Sequence, residues 1–135
     1  MNALSKLQIA ALQWRLNSCC EKAPEIQLIL LATVDGFQLV VAGSQRNDTE
    51  LPEKFAAIAS SMTALSEAAG QELGTKKRLE AVALDLVDLW VILRMVNGDQ
   101  EQRFVLAAVA EKKVGLGKLL RIVHDNALLL EEALR

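Results

Sequence analysis

One long amphipathic stretch, from Leu51 to Leu73, most strongly constrains the folds open to this chain. Its apolar residues recur every three or four positions, as in a helix with one buried side, and Gly74 ends it. Asp48 or Thr49 is suited to cap the start of this helix. The predicted core-facing stripe is Leu51, Phe55, Ile58, Met62, Leu65, Ala69 and Leu73.

The side of this helix opposite the core stripe carries small side chains, where a solvated helix usually carries long charged ones. Small side chains allow another backbone, most simply a second helix, to approach closely. The alternative is that Ala and Ser are only tolerated there, because Ala is the best helix former. We interpret the small residues and their polar neighbours as a contact surface made of Ala57, Ser60, Ser61, Ala64, Glu67, Ala68 and Gln71.

Two hairpins are predicted, one on each side of the helix in the sequence. The dipeptide Asp35-Gly36 interrupts apolar runs and favours a type I′ turn, which needs positive φ at both central residues. Asn97 to Gln100 is the second turn signal, between runs rich in bulky and β-branched residues. The predicted strands are residues 26–34, 37–42, 79–86, 89–96 and 103–110.

Two more helices complete the pattern, at residues 3–20 and 116–134. The order is therefore α-β-β-α-β-β-β-α, which favours an α+β fold with a five-stranded, mainly antiparallel sheet between helices. Because several strands are apolar on both faces, the middle helix is expected on one face and the other two helices on the opposite face. We predict a single domain over residues 1–135.

The third strand is expected to lie at an edge of the sheet, because it follows the long helix and pairs directly only with the next strand. An apolar edge strand is a liability unless something pairs or covers it. A second copy of the chain, related by a twofold axis, could pair this edge and pack against the middle helix with one surface. The residues predicted to contribute from this strand are Glu80, Val82 and Leu84.

Composition excludes several classes of protein. Apolar residues make up 52% of the 135 residues, so a packed core is expected, while the net charge of −2 gives no electrostatic case for nucleic acid binding. No apolar run reaches the length of a membrane span, and no cleavable signal is recognisable, so the expected location is the cytoplasm. The adjacent Cys19 and Cys20 are expected to be free thiols.

No motif in the chain indicates chemistry. Phosphate-binding loops, dinucleotide fingerprints and nucleophile elbows are absent from the sequence. His124 is the only histidine and falls at the border of the last helix's core stripe. Asp85 and Asp88 are expected to be solvated turn residues. We predict no enzyme, and no catalytic, cofactor-binding or metal-binding residues.

Two basic clusters stand out against the slightly negative total. The first is Lys76, Lys77 and Arg78, directly after the middle helix, and the second is Lys112, Lys113, Lys118 and Arg121. Either cluster could receive an acidic partner or a phosphate group. The alternative is that both are solvated charges of loops and helix ends.

Several stretches, taken in order, resemble the Roadblock family, which is named for a dynein light chain. The hairpin ATVDGFQLVVAGS (residues 32–44), the Ala-rich helix FAAIASSMTALSEAAGQELG (residues 55–74) and the helix start VGLGKLLRIV (residues 114–123) are similar to the corresponding parts of that family. No single piece is specific, but the combination covers nearly the whole chain. The adjacent cysteines and the Leu-rich first strand depart from the family pattern.

The resemblance implies the profilin-like Roadblock fold and a dimer, with itself or with a paralogue, joined through the middle helix and the third strand. It also implies a platform for a small Ras-like GTPase. Bacterial members related to the gliding-motility system promote GTP hydrolysis without a catalytic residue of their own, and other members only scaffold. The implied function is a non-enzymatic dimeric scaffold or regulator of such a GTPase. The alternatives are a small-molecule sensor of PAS or GAF type and a purely structural self-association domain.

Overall fold

The computed structural model describes residues 4–48 and 50–135, and their order of elements is the predicted one. All strand pairs are antiparallel, so the α+β fold with a five-stranded antiparallel sheet is confirmed. The elements are α1 (Lys6–Lys22), β1 (Ile26–Thr33), β2 (Gln38–Ala42), α2 (Leu51–Glu72), β3 (Ala81–Asp85), β4 (Leu89–Asn97), β5 (Arg103–Glu111) and α3 (Leu116–Leu134). Short 3₁₀ turns at Asp99–Glu101 and Lys112–Val114 follow β4 and β5.

The start of α1 is set by a reciprocal pair of hydrogen bonds. The Ser5 hydroxyl accepts from the Gln8 backbone N–H at 3.1 Å, and the Gln8 side chain accepts from the Ser5 N–H at 2.9 Å. This capping box satisfies two N–H groups that the first helical turn leaves unpaired. The helix therefore begins at Lys6, whereas the predicted start at residue 3 lies outside the described residues, and it runs two residues beyond the predicted end.

The start of α2 is held by Asp48, one of the two predicted capping residues. Its carboxylate accepts from the backbone N–H groups of Glu50 at 3.1 Å and Leu51 at 3.0 Å. These two hydrogen bonds hold the pKa of the Asp48 carboxyl below its usual value. The other candidate, Thr49, lies outside the described residues.

The first hairpin has a wider turn than predicted. The Gly36 N–H donates to the Thr33 carbonyl at 3.0 Å, and only Gly36, with φ of 96°, adopts a left-handed backbone in this loop. The prediction of a type I′ turn is therefore wrong, because Asp35 keeps a negative φ. A Cβ added at Gly36 would lie 3.4 Å from the Cα of Ala57, so the turn rests against α2.

The order of strands in the sheet is β2-β1-β5-β4-β3. The predicted edge position of β3 is therefore confirmed, and β1 and β5 form the centre. The apolar run of β1 is buried on both faces, with Leu28, Ile29, Leu30 and Leu31 each no more than 1% exposed. Helix α2 covers one face, over β1, β2 and β5, while α1 and α3 pack together on the other face.

The predicted core stripe of α2 is wrong in its orientation. Ile58 is 53% exposed, Leu65 72% and Leu73 87%. The fully buried side of the helix is instead small, and it consists of Pro52, Ala56, Ala59 and Thr63. Small side chains let the helix backbone approach the sheet closely, so the larger apolar residues are turned to one side of the contact.

Candidate protein-interaction surface

One flank of α2 is apolar and exposed to solvent. We call Ile58, Leu65, Ala69 and Leu73 the apolar flank, because they are exposed and recur at intervals of four or seven residues on one side of the helix. Phe55 and Met62 lie between this flank and the sheet and are half-buried in the core cluster beneath the helix. A monomer thus leaves large apolar side chains in water along about four turns of helix.

The open edge of the sheet carries apolar residues on the same face. In β3, Val82 and Leu84 are half-buried and join the cluster beneath α2. Because α2 lies over β1, β2 and β5, strands β4 and β3 extend beyond it. Two strands span about 10 Å, which is the width of one helix. This face of the sheet therefore has an uncovered apolar strip over β4 and β3, wide enough for one further helix.

The ten residues predicted for the interface do not form one surface. The outward side of α2 carries Ala57, Ser61, Ala64 and Ala68, all exposed, and β3 contributes the half-buried Val82 and Leu84. Ser60 and Glu67 lie on the flank away from the apolar one. The Ser60 hydroxyl donates to the carbonyl of Val34, and Glu67 forms an ion pair.

The other two predicted residues are exposed and polar. Gln71 lies near the end of α2, and Glu80 precedes β3 and pairs with Arg94 at 3.0 Å. Sequence reasoning missed the apolar flank as an exposed surface, because the same residues were assigned to the core. The available signal was the helical spacing of Pro52, Ala56, Ala59 and Thr63, a small face that contacts the sheet in place of the Leu-rich one.

The two cysteine thiols are at least partly buried, and the carboxylate of Asp85 forms an ion pair. Burial, and then the neighbouring Cys20, raise the pKa of Cys19 to about 12, and burial also raises the pKa of Cys20 against the opposing effect of Arg46. Both thiols are therefore protonated near neutral pH and are poor nucleophiles. Asp85 is exposed, as predicted, but it ends β3 and its carboxylate pairs with Lys112, whose ammonium lies 3.7 Å from the centre of the Trp90 ring.

The remaining candidates for chemistry are dispersed. His124 and Asp88 are exposed, on α3 and in the β3–β4 turn. Across residues 4–48 and 50–135, no three His, Cys, Asp or Glu side chains are grouped so that they could hold a metal ion. None of the helices that the described residues form has the length and hydrophobicity of a membrane span.

The fold and its surface define a class of protein: a sheet between helices, with an open apolar edge and a helix exposed beside it. The model of the Roadblock/LC7 domain family matches residues 12–110. The chain belongs to the Roadblock/LC7 family, as the resemblance implied.

Solved structures share this fold over nearly the whole chain. Gliding protein MglB from Thermus thermophilus is 14% identical, with a TM-score of 0.82 over 98% of this chain and 94% of that one. A Roadblock/LC7 domain from Streptomyces avermitilis is 19% identical, with a TM-score of 0.70 over 89% and 92%. An MglB with a tetrameric arrangement is 18% identical, with a TM-score of 0.76 over 98% and 96%. Among curated proteins, no sequence matches this chain.

Proposed function

We propose that this protein is a non-enzymatic dimeric scaffold and regulator of a small Ras-like GTPase in the cytoplasm. Two observations carry the proposal: the apolar flank of α2 is exposed, and β3 is an unpaired edge whose Val82 and Leu84 pack on the same core cluster as Phe55 and Met62 of α2. Both features are costly in an isolated monomer, and both are removed by one symmetric partner. The proposal takes residues 1–135 as one Roadblock-like domain.

The dimer brings together two copies of the same surface. Antiparallel pairing of β3 with the partner's β3 gives one continuous sheet and places two α2 helices side by side over its centre. Ile58 and Leu65 then lie between the helices, and Val82 and Leu84 lie beneath them. Support for association also comes from the relative with a tetrameric arrangement, which assembles from the same fold.

The partner is proposed to dock on the outward sides of the paired α2 helices. Ala57, Ser61, Ala64 and Ala68 give this surface low relief, and Ser61 directs its hydroxyl to the Ala57 carbonyl at 3.2 Å. A surface of this kind can present backbone closely to a partner without obstructing it. The identity of the partner as a small GTPase rests on what the family resemblance implies, and the shared fold of the gliding protein MglB is consistent with it.

The dimer is tested by light scattering after size exclusion. Leu65→Glu is expected to halve the mass at micromolar concentration, because it places a charge in a desolvated contact between helices. The matched control is Leu128→Glu, which changes another exposed leucine, 48% exposed and on α3. A Leu65→Glu variant with unchanged mass removes the α2 contact from the proposal.

The GTPase partner is tested by a pull-down with the tagged protein in the presence of GDP or a GTP analogue, followed by mass spectrometry. We expect a Ras-like GTPase to be enriched in one nucleotide state by the wild type and by Leu128→Glu, and to be lost with Leu65→Glu. Recovery of the chain alone, without a GTPase in either nucleotide state, would contradict the proposed regulatory function. It would favour the alternative of a purely structural self-association domain.

The sensor alternative depends on a pocket. A cleft of ≈410 Å³ between α2 and the ends of β1 and β5 has the volume of a small-molecule site, and its floor includes Met95 and Phe104. A sensor would be stabilised by its ligand, so a metabolite screen by thermal shift separates the two classes. The regulator proposal expects no hit that depends on this cleft.

A further inference from the structure

A trough runs along the flank of α2 that lies away from the apolar flank. It is formed by two adjoining clefts of ≈410 and ≈560 Å³, and Glu67, Glu101 and Arg103 line both of them. We call it the Arg103 trough. From Ser60 to Gln71 the helix rises about 17 Å. An extended peptide of about five residues has this length.

One half of the trough is apolar. Met95 and Phe104 are 6% and 4% exposed and form its floor, while Ala64 and Val34 form its walls. Thr63, 4% exposed, also lines this half, and its hydroxyl donates to the Ser60 carbonyl at 3.0 Å. The Thr63 hydroxyl is therefore already satisfied and stays so when an apolar side chain enters this half.

The other half has an excess of basic residues, because its lining includes the carboxylate of Glu101 and the paired Glu67 and Arg103 beside three further cations. Lys76, Lys77 and Arg78 line it in an unbroken row, and all three are exposed. The ion pairs found between described residues use none of these three side chains. Because the whole chain has a net charge of −2, this local excess is not part of a general basic surface. It is complementary to carboxylates.

The wall opposite α2 is a turn with an unusual backbone. Gln100 and Glu101 have φ of 52° and 65°, a left-handed conformation that costs free energy in residues other than glycine. The Gly98 N–H donates to the Gln102 carbonyl at 2.7 Å, which closes the turn. Strain that is kept in place by surrounding bonds is found preferentially at ligand-binding positions.

Arg103 lies where the two halves meet. Its guanidinium contacts the Glu67 carboxylate at 2.7 Å and the Leu79 carbonyl at 3.4 Å, and its side chain is only 15% exposed. It thereby joins α2, β5 and the segment before β3 around the trough. A groove held by three elements in this way is formed before any ligand arrives, which lowers the entropic cost of binding.

We propose that the Arg103 trough binds a linear segment of another protein, with an apolar side chain over Met95 and Phe104 and acidic residues against Lys76, Lys77 and Arg78. This is a second docking surface, which adjoins the proposed GTPase platform at Ala64. It does not depend on dimerisation, because the apolar flank lies on the other side of α2. Each copy in a dimer would carry one trough.

The test is a titration of the ¹⁵N-labelled full chain, followed by amide chemical shifts. The probes are the acetylated octapeptide Gly-Leu-Phe-Gly-Asp-Glu-Asp-Glu and the same residues in reverse order, because the peptide could bind along the trough in either chain direction. The matched control replaces every acidic residue of the peptide by Lys. We expect an acidic probe to shift amides in both halves, at 60–67 and 75–79, and the Lys peptide to shift neither.

A charge-reversed chain, Lys76→Glu with Lys77→Glu and Arg78→Glu, is expected to bind the acidic probe at least about tenfold more weakly, since each exposed pair contributes modestly. These residues are exposed, so the fold and the oligomer mass should not change. Failure of both acidic probes, equal binding of the Lys peptide, or shifts reproduced by inorganic phosphate in the basic half alone would each overturn the proposal. The dimer and GTPase experiments would be unaffected by any of these results.

Discussion

The guanidinium of Arg103 lies 2.7 Å from the carboxylate of Glu67 and joins the start of β5 to the C-terminal half of α2. The Arg103 side chain is 15% exposed and that of Glu67 30%, so the pair is partly removed from water. It is the one long-range ion pair between α2 and the sheet among the described residues. The position of α2 therefore depends on this pair as well as on small apolar contacts.

Removing the acidic partner is expected to destabilise the fold. Glu67→Gln leaves a mostly buried guanidinium without its counter-charge, which should lower the free energy of unfolding by about 1–2 kcal/mol, between the values for exposed and buried pairs. Urea unfolding measures this change. The control is Glu50→Gln, which removes the exposed pair of Glu50 with Lys54, at 71% and 69% exposure, and should cost less than about 0.5 kcal/mol. Equal losses in the two variants would contradict a special role for Glu67.

The contact between α2 and the sheet should not tolerate a larger side chain. Ala59 is fully buried between α2 and the sheet, so Ala59→Leu is expected to lower the free energy of unfolding by about 1–3 kcal/mol through overpacking. Ala57→Leu adds the same atoms at an exposed position and should change stability by less than about 0.5 kcal/mol. Chemical denaturation of both variants measures the difference. If Ala57→Leu were the more damaging of the two, the observed rotation of α2 would be wrong.

Acid should weaken the contribution of Asp48 to stability. Its pKa in the folded state is lowered by the hydrogen bonds from Leu51 and Glu50, so its contribution is present above the unfolded value of 3.8. The contribution is lost as the pH falls through the lower folded value. The melting temperature of the wild type should exceed that of Asp48→Asn at pH 6, and the gap should narrow below pH 3.8. Asp88→Asn, in the β3–β4 turn, serves as the control without a helix start nearby.

The thiols should resist alkylation in the native protein. Cys19 is 4% exposed and its pKa is about 12, so iodoacetamide at pH 8 should leave it unmodified, while denaturant should expose it. Intact mass measurement on Cys20→Ser isolates this thiol. Because the folded pKa is raised, the neutral thiol's contribution to stability is complete below about pH 9 and is lost as the pH rises towards 12. Rapid native labelling would show that α1 opens locally.

One glycine at the end of β2 should be indispensable. Gly43 has a φ of 108°, and a Cβ built there would lie 2.5 Å from the Gln27 carbonyl oxygen, so Gly43→Ala combines backbone strain with a clash. We expect a cost above about 2 kcal/mol. Gly74 also has a positive φ, of 87°, but has open space around it, so Gly74→Ala should cost only about 1 kcal/mol. Thermal unfolding ranks the two, and the reverse order would be inconsistent with this packing.

The order of elements was predictable because its signals are local. The break at Pro24, the Asp35-Gly36 dipeptide and the apolar runs of β1 and β4 each specify a short piece of structure whatever surrounds it. The rotation of α2 could not be predicted in the same way. Its sequence has two adjacent stripes that could contact the sheet, one of large apolar residues and one of the small residues Pro52, Ala56, Ala59 and Thr63. The choice between them depends on how closely the helix packs on strands distant in sequence.

The interaction surface was predictable only in part, because most of it is formed by residues distant in sequence. The edge position of β3 follows from connectivity, and it is observed. The trough depends on Arg103, Glu67 and the turn residue Glu101 meeting in space, and no spacing in the sequence indicates this. Only its basic half, Lys76 to Arg78, stood out as a cluster.

Ala56 and Ala59 pack α2 against the sheet, so the inner side of this helix is constrained by packing and the outer side by binding. The inner side must remain small, whereas the outer side and the apolar flank are constrained only by what binds there. Relatives only 14–19% identical share the fold. Substitutions on the outer side of α2 can therefore change which partner binds, while the inner side continues to specify the fold. A duplicated gene could in this way acquire a new partner without a change of fold.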